Sequence, residues 1–321
     1  MEKDIVTYDD IYFARNNIKK YIYKTPLDYS IYLSSKSTNI FLKLECQQKL
    51  KCFKIRGALN KLMSLSSEEK DRGVMAVSSG NHGAGVSYAA KLLGGIKAKI
   101  YVPATIPESK LEKIRYYGGE VIAVGENYDE AHKFGLEALE KNKLTFIDPC
   151  SDIEAIAGQG SIAMEILEDN SDIDIILAPI GGGGLITGLA VAAKKMKPKI
   201  KIIGVQTKAC PAMVKSLEDN ICYEDYPSQP SICDALIGGI GEIPFNMADK
   251  CIDDILLVEE SDIRKAVHHL MTKEKVIAEP AGAVGVAAVL NYPHIFDNKN
   301  TAIIISGGNL DKKLMKDIII N

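Results

Sequence analysis

Four consecutive glycines, Gly181, Gly182, Gly183 and Gly184, stand between a β-branched run and a segment of helical period. Glycine permits a positive φ and a close approach of ligand to backbone, and the first turn of a helix offers unpaired N–H groups. We therefore expect a phosphate-binding loop here, rather than a tight turn that only needs small residues. The spacing fits neither the GxGxxG pattern of dinucleotide sites nor the GK[ST] ending of a Walker loop.

A second polar loop, residues 77–83 (VSSGNHG), also lies between a predicted strand and a predicted helix. Ser78, Ser79, Asn81 and His82 bring hydroxyls, an amide and an imidazole close to unpaired backbone N–H groups. This set could bind a carboxylate, but the first three could equally be ordinary helix N-cap residues. The sequence leaves both interpretations open. A Ser-His-Asp hydrolase is a weaker alternative, because no GxSxG elbow and no acid partner are found.

Lys54 is flanked by Phe53 and Ile55 at the start of a helical segment. An amine among apolar side chains loses proton affinity and becomes a usable nucleophile. A lysine that extends to solvent is the commoner case in a chain this rich in lysine. Lys54 is therefore a candidate that needs support from the other two sites.

The elements that must position these residues alternate along the chain. Eight β-branched runs predict strands at residues 40–44, 74–77, 99–102, 121–124, 173–178, 201–205, 255–258 and 302–305. Six segments with apolar residues at three- and four-residue intervals predict helices at residues 83–93, 111–117, 128–141, 161–168, 185–195 and 262–273. This alternation predicts a doubly wound α/β protein with mostly parallel sheets. We expect two domains, a large one of residues 1–72 and 148–321 and a small one of residues 73–147 inserted into it.

Composition narrows the classes of function. The 321 residues are 46% hydrophobic and 25% charged, as in ordinary globular proteins. The net charge of −3 provides no positive field for a polyanion, so nucleic acid is not an expected partner. The uncharged run 175–193 contains Pro179 and the four glycines, which favours a buried strand, loop and helix over a membrane span.

The cysteines and the start of the chain bear on location. Seven cysteines, an odd number with no CxxC spacing, are typical of reduced thiols. The first ten residues, MEKDIVTYDD, lack the apolar region of a signal peptide. A cytoplasmic protein is therefore expected.

Seven short motifs occur in an order that a known family shares. They are residues 25–27 (TPL), 53–58 (FKIRGA), 79–83 (SGNHG), 158–160 (GQG), 181–185 (GGGGL), 279–282 (EPAG) and 306–309 (SGGN). In this order they resemble the fold-type-II pyridoxal-phosphate enzymes, in the branch of serine/threonine dehydratases and serine racemases. The resemblance implies the tryptophan synthase β-like fold, a pyridoxal 5'-phosphate cofactor, a small amino-acid substrate and a homodimer.

The resemblance also implies roles for individual residues. Lys54 would bind the cofactor covalently, Phe53 would pack near its ring, Asn81 would contact its 3'-oxygen and Ser306 its pyridine nitrogen. The phosphate would be bound by Gly181, Gly182, Gly183, Gly184 and the N–H of Leu185. The substrate carboxylate would be held by the loop that contains Ser78, Ser79, Asn81 and His82. Each role agrees with the chemistry expected from the residue types.

The implied reaction is dehydration and deamination of a β-hydroxy amino acid, such as L-threonine or L-serine, to a 2-oxo acid and ammonia. An amino-acid racemase is the first alternative, with Ser79 as the proton donor opposite Lys54. A dehydratase of another β-hydroxy amino acid and a cofactor-free sensor of phosphate ligands are further alternatives.

One family feature is not expected here. Relatives with a divalent-metal site carry Glu where this chain has Gln206, and Asp a few residues later, where Cys210, Pro211 and Ala212 stand. Carboxylates are the ligands that such cations prefer. No metal site is therefore predicted.

Overall fold

The computed structural model describes residues 5–106 and 108–320, and within these ranges the chain forms ten strands in two sheets. The strands are β1 (Leu27–Tyr29), β2 (Asn39–Lys43), β3 (Val74–Val77), β4 (Ala98–Val102), β5 (Glu120–Ala123), β6 (Thr145–Phe146), β7 (Ile175–Pro179), β8 (Lys201–Thr207), β9 (Asp254–Val258) and β10 (Asn300–Ile304). The six-stranded sheet has the order β1-β2-β10-β7-β8-β9, and the four-stranded sheet has the order β5-β4-β3-β6. Every neighbouring pair is parallel except β1 with β2.

Thirteen α-helices lie in the same described ranges. They are α1 (Tyr8–Ile18), α2 (Lys54–Ser64), α3 (Ser67–Arg72), α4 (Asn81–Leu92), α5 (Glu108–Tyr116), α6 (Tyr128–Asn142), α7 (Ile153–Asp169), α8 (Gly184–Met196), α9 (Ala212–Asp219), α10 (Glu242–Cys251), α11 (Glu260–His269), α12 (Pro280–Asn291) and α13 (Lys312–Ile320). Each of the eight predicted strands and six predicted helices overlaps an observed element. The two strands that were not predicted, β1 and β6, have three and two residues and carry little pattern.

The larger sheet is buried on both faces, which confirms the doubly wound class. Ile176 and Ala178 of β7 belong to a core shared with α7 and α8. Ile175 and Leu177, whose side chains point the other way, belong to a core shared with α11 and α12. A strand with apolar contacts on both sides reads as a continuous apolar run, which is the pattern seen in the sequence.

The smaller sheet is made entirely of strands between Val74 and Phe146. Its core nevertheless includes side chains from outside that segment, because Ile55 and Leu59 of α2 pack with Val74 of β3. The division into residues 1–72 with 148–321 and residues 73–147 stays a prediction.

Four charged side chains form a buried network between the larger sheet and α7. Arg56 donates to both Glu45 oxygens at 2.8 Å, and its Nη1 donates to Glu165 Oε1 at 2.7 Å. Lys43 Nζ donates to Glu165 Oε2 at 2.7 Å. Side-chain exposure is 0% for Lys43, Glu45 and Arg56 and 7% for Glu165. Two cations and two carboxylates balance, so the network ties β2, α2 and α7 together without a net buried charge.

The apolar run at 175–193 is divided as the sequence predicts. It contains β7, the glycine loop and most of α8. In the part of the chain that the structure describes, no helix is long and apolar enough to cross a membrane.

Glu165→Ala should lower the free energy of unfolding by about 3–5 kcal/mol, because it leaves Arg56 and Lys43 buried with too few carboxylates. Urea denaturation monitored by circular dichroism measures this loss. Glu168→Ala is the matched control on the same helix, since Glu168 is exposed and paired with Arg15. The control should lose roughly 1 kcal/mol or less. Equal losses in the two variants would contradict the importance of the buried network.

Candidate active site

Lys54 is the first residue of α2, and its amine is held at a defined point. Nζ donates a hydrogen bond of 2.9 Å to the carbonyl of Pro149 and lies 5.2 Å from the centroid of the Phe53 ring. Burial lowers the pKa of Lys54 below its usual range. A larger fraction of this amine is therefore neutral, and nucleophilic, than of a solvent-exposed lysine.

Backbone pairing brings Lys54 next to Ser306. Cys52 forms an isolated antiparallel bridge with Gly307, and the N–H of Phe53 donates to the carbonyl of Ser306 at 3.1 Å. The N–H of Gly308 donates to the carbonyl of Lys51 at 2.8 Å. These bonds join the segment before α2 to the segment after β10, although the two are about 250 residues apart in sequence.

The glycine loop joins β7 to α8 and is packed too closely for larger residues. A Cβ on Gly182 would lie 2.4 Å from Cys150 Sγ, and one on Gly184 would lie 2.8 Å from the Cys150 carbonyl oxygen. Gly183 is the N-cap of α8 and has φ of +91°. The N–H groups in the first turn of α8 have no acceptor within the helix, so they are available to an anion.

The polar loop at 77–83 follows β3 and leads into α4. The N-cap of α4 is Gly80, which has no side chain, and Ser78 Oγ accepts from the Gly80 N–H at 3.2 Å. None of Ser78, Ser79 and Asn81 therefore caps the helix in the ordinary way. The side chain of Asn81 instead donates to Glu279 Oε1 at 2.8 Å and accepts from Asn309 at 2.6 Å. Its place beside the Lys54 and Ser306 segment favours the binding-site interpretation of the loop.

The side chain of His82 hydrogen-bonds to a backbone carbonyl and is not charged at neutral pH. Its Nε2 lies 2.8 Å from the Ile147 carbonyl oxygen, an acceptor, so this nitrogen carries the hydrogen. Burial, together with the positive charge of Lys54, lowers the pKa of His82 to about 4. The imidazole is neutral at pH 7, and a carboxylate bound by this loop would rely on backbone N–H groups and hydroxyls. Contact between the His82 side chain and substrate stays a prediction.

The structure adds residues that sequence reasoning did not select. Pro149 supplies the acceptor for Lys54, and Cys150 packs against the glycine loop. Both lie in the turn between β6 and α7, whose shape is fixed by Asp148 Oδ1 accepting from the N–H groups of Cys150 and Ser151. Any residue type can supply a backbone carbonyl as an acceptor. The contribution of this turn to the site could therefore be found only from the fold.

Gln206, where the sequence predicts no metal ligand, makes hydrogen bonds to the backbone. Its Oε1 accepts from the N–H groups of Met213 and Val214 at 3.1 and 3.2 Å, at the start of α9. Among residues 5–106 and 108–320, no three His, Cys, Asp or Glu side chains are grouped so that they could hold a metal ion.

Comparisons with known proteins agree with this arrangement. The family model "Pyridoxal-phosphate dependent enzyme" matches residues 18–307. An L-threonine ammonia-lyase of Thermotoga maritima is 43% identical over 317 residues, covering 98% of this chain and 78% of that protein. A catabolic L-threonine dehydratase of Staphylococcus aureus is 38% identical over 322 residues, covering 98% and 92%. The structure of maize serine racemase superposes with a TM-score of 0.90 at 33% identity, covering 98% of this chain and 97% of that one.

Two mostly parallel sheets, a half-buried lysine of lowered pKa and a glycine loop at a helix start are the features of the class of fold-type-II pyridoxal-phosphate enzymes. The chain belongs to the pyridoxal-phosphate-dependent enzyme family, in its serine/threonine dehydratase branch, and its cofactor is pyridoxal 5'-phosphate. The residues present fit this group: the glycine loop leads into a helix whose first-turn N–H groups are available to a phosphate, and Lys54 offers an amine of lowered pKa.

Gly182→Val should weaken the binding of pyridoxal phosphate at least tenfold, because the new side chain collides with Cys150 and displaces the loop. Titration of the apoenzyme, followed by visible absorbance, measures the affinity. Gly85→Ala in α4 is the control, since a Cβ there meets its nearest atoms at an ordinary 3.7 Å. Unchanged affinity in the Gly182 variant would place the phosphate elsewhere.

Proposed function

We propose that this protein deaminates L-threonine to 2-oxobutanoate and ammonia, with L-serine as a second substrate that yields pyruvate. The observation that carries the proposal is the amine of Lys54, held by a backbone carbonyl and lowered in pKa by burial, in a chain with threonine ammonia-lyase and dehydratase relatives. The relatives cover 98% of the chain, so the resemblance is not confined to one motif.

The proposed roles are those that the family resemblance implies, and the placement of the groups supports them. Gly181, Gly182, Gly183, Gly184 and the N–H of Leu185, at the start of α8, would bind the phosphate. Asn81 would donate to the 3'-oxygen, Phe53 would pack near the ring and Ser306 would face the pyridine nitrogen. The loop with Ser78, Ser79, Asn81 and His82 binds the substrate carboxylate. When bound, the cofactor supplies an electron sink that makes the hydrogen on the substrate α-carbon acidic.

Lys54 performs the proton transfer in this proposal. Its neutral Nζ accepts the proton from the α-carbon, and its bond to the Pro149 carbonyl keeps the amine from rotating away. The electron pair left on the α-carbon forms the new double bond as the β-hydroxyl leaves. The proton lost from the α-carbon and the departing hydroxide together account for the water formed. Hydrolysis of the released product then gives the 2-oxo acid and ammonia.

Ser306 biases the reaction toward elimination. It is buried, with 3% of its surface exposed, and it carries a hydroxyl where a carboxylate would stabilise a protonated pyridine. A hydroxyl does not hold that proton, so the electron sink is weaker. The electron pair therefore expels the β-hydroxyl promptly instead of remaining delocalised.

A cytoplasmic location and a homodimer complete the proposal. All seven cysteines are free thiols, which fits a reducing compartment. Tyr12 and Phe13 on α1, with exposures of 48% and 64%, offer apolar area that a second copy could cover.

Lys54→Ala should abolish 2-oxo acid release from L-threonine, because no other amine in the described part of the chain is held at the Pro149 carbonyl. A coupled assay for 2-oxobutanoate, with visible absorbance of bound cofactor, is the measurement. Lys51→Ala, which removes an exposed lysine three residues earlier, should retain wild-type release. Near-normal release in the Lys54 variant would refute the assignment. A wild-type protein that binds other phosphate ligands but not pyridoxal phosphate would instead support the alternative of a cofactor-free sensor of phosphate ligands.

Racemisation is the second candidate, favoured by the likeness to maize serine racemase and by Ser79. Ser79 is half-buried in the loop after β3, with a hydroxyl that could return a proton to the face opposite Lys54. A hydroxyl is a poor acid, so elimination should outrun reprotonation when the β-hydroxyl is aligned to leave. We propose inversion as a minor path.

Ser79→Ala should remove D-serine formation from L-serine while retaining substantial pyruvate release. Chiral chromatography of serine recovered at partial turnover, run beside a pyruvate assay, measures both. D-serine appearing faster than pyruvate in the wild type would make racemisation the main activity. Absence of D-serine in the wild type would limit Ser79 to carboxylate binding.

A further inference from the structure

Glu279 begins the EPAG segment, and its side chain has no role in the reaction proposed above. It is the N-cap of α12, yet its carboxylate makes no capping bond to that helix. Its Oε1 accepts instead from Asn81 Nδ2 at 2.8 Å, across 198 residues of sequence. The carboxylate of Glu279 therefore contacts an amide of the active-site loop instead of capping its own helix.

The contacts of Asn81 fix the direction of its amide. Oδ1 accepts from Asn309 Nδ2 at 2.6 Å, and Nδ2 donates one hydrogen to Glu279. The second hydrogen of Asn309 Nδ2 goes to the Leu50 carbonyl at 2.9 Å. A flipped Asn81 amide would set two donors against each other at Asn309 and two acceptors against each other at Glu279. The orientation shown is therefore the only one that satisfies both partners.

We propose that Glu279 is a positioning residue for the cofactor site, which holds the Asn81 amide so that its remaining N–H points to an acceptor on the ligand. The inference rests on the proposed role of Asn81 as a contact of the cofactor 3'-oxygen. Glu279 does not touch the reacting atoms. It acts by accepting a hydrogen bond, because an ionised carboxylate is an acceptor only.

The charge state of Glu279 gives this role a pH dependence. Burial raises the pKa of its carboxyl to about 7, and the nearby charge of Asp234 acts in the same direction. The Asn81 hydrogen bond, the Asn309 N–H and the charge of Lys113 oppose that rise in pKa. The other titratable groups that face Glu279 are the thiols of Cys46, Cys52 and Cys233. Above pH 7 both carboxylate oxygens of Glu279 can accept hydrogen bonds. Below pH 7 the carboxyl carries an O–H, and this donor competes with the Asn81 N–H.

The first test compares two Asn–Glu pairs in the same protein. Asn60 Nδ2 donates to Glu154 Oε2 at 2.8 Å, and burial raises the pKa of Glu154 as well, but this pair joins α2 to α7 and lies outside the proposed site. Pyridoxal phosphate is titrated into the apo form of each variant at pH 8, and its dissociation constant is read from visible absorbance. Circular dichroism confirms folding.

Glu279→Ala should raise the dissociation constant about tenfold, because the Asn81 amide loses the partner that fixes it. Glu279→Gln keeps one acceptor oxygen and should stay within about threefold of wild type. Glu154→Ala should leave the constant unchanged. Wild-type affinity in Glu279→Ala, or equal losses in the Glu279 and Glu154 alanine variants, would overturn the proposal.

The second test uses Glu279→Gln. This variant tests the proposal even if Glu279→Ala does not fold. Between pH 8 and pH 6 the wild type and Glu154→Gln should lose affinity for pyridoxal phosphate more steeply than Glu279→Gln does, since Gln does not titrate. Identical pH profiles in all three would contradict the proposal. The readout is binding of the cofactor without substrate, so a failure here is distinguishable from a failure of the proposed threonine deamination.

Discussion

The buried network around Arg56 is the constraint on which the site depends. Arg56 lies two residues after Lys54, and its guanidinium is held by carboxylates from the turn after β2 and from α7. Buried charges are costly unless every one is paired and hydrogen-bonded, and here each carboxylate is matched. A rotation or shift of α2 would break several of these bonds at once. The network therefore fixes the helix whose first residue supplies the amine.

The rest of the site is built where parallel strands end. Ser78 follows β3, the glycine loop follows β7 and Ser306 follows β10. Loops at the carboxyl ends of parallel strands are the usual ligand-binding edge of doubly wound proteins. Here two sheets contribute, and the turn at 147–151 links them, since it accepts from His82 and Lys54 and packs on Gly182. Lys54 and His82 thus each have a backbone partner in this turn that limits the movement of the side chain.

Much of the fold could be predicted from the sequence, because the sequence patterns that indicate strands, helices and loops are local. Apolar runs located the main strands, and four glycines before a helix predicted an anion site. The partners could not be predicted, because the acceptor of Lys54 is a backbone carbonyl and the packing of Cys150 depends on the fold. Lys43, Glu45, Arg56 and Glu165 belong to residue types that are usually exposed, so nothing in their spacing marks them as a buried network. Likewise, the imidazole of His82 could be assigned to a backbone carbonyl only once Ile147 was placed.

The central claim is that Lys54 carries the cofactor, and chemical reduction tests it most directly. The holoenzyme is treated with borohydride, which makes the lysine–cofactor bond permanent, and is then digested and mapped by mass spectrometry. We expect a single phosphopyridoxyl group, on the peptide that contains Lys54. Stoichiometric modification of any other lysine, with Lys54 unmodified, would contradict it.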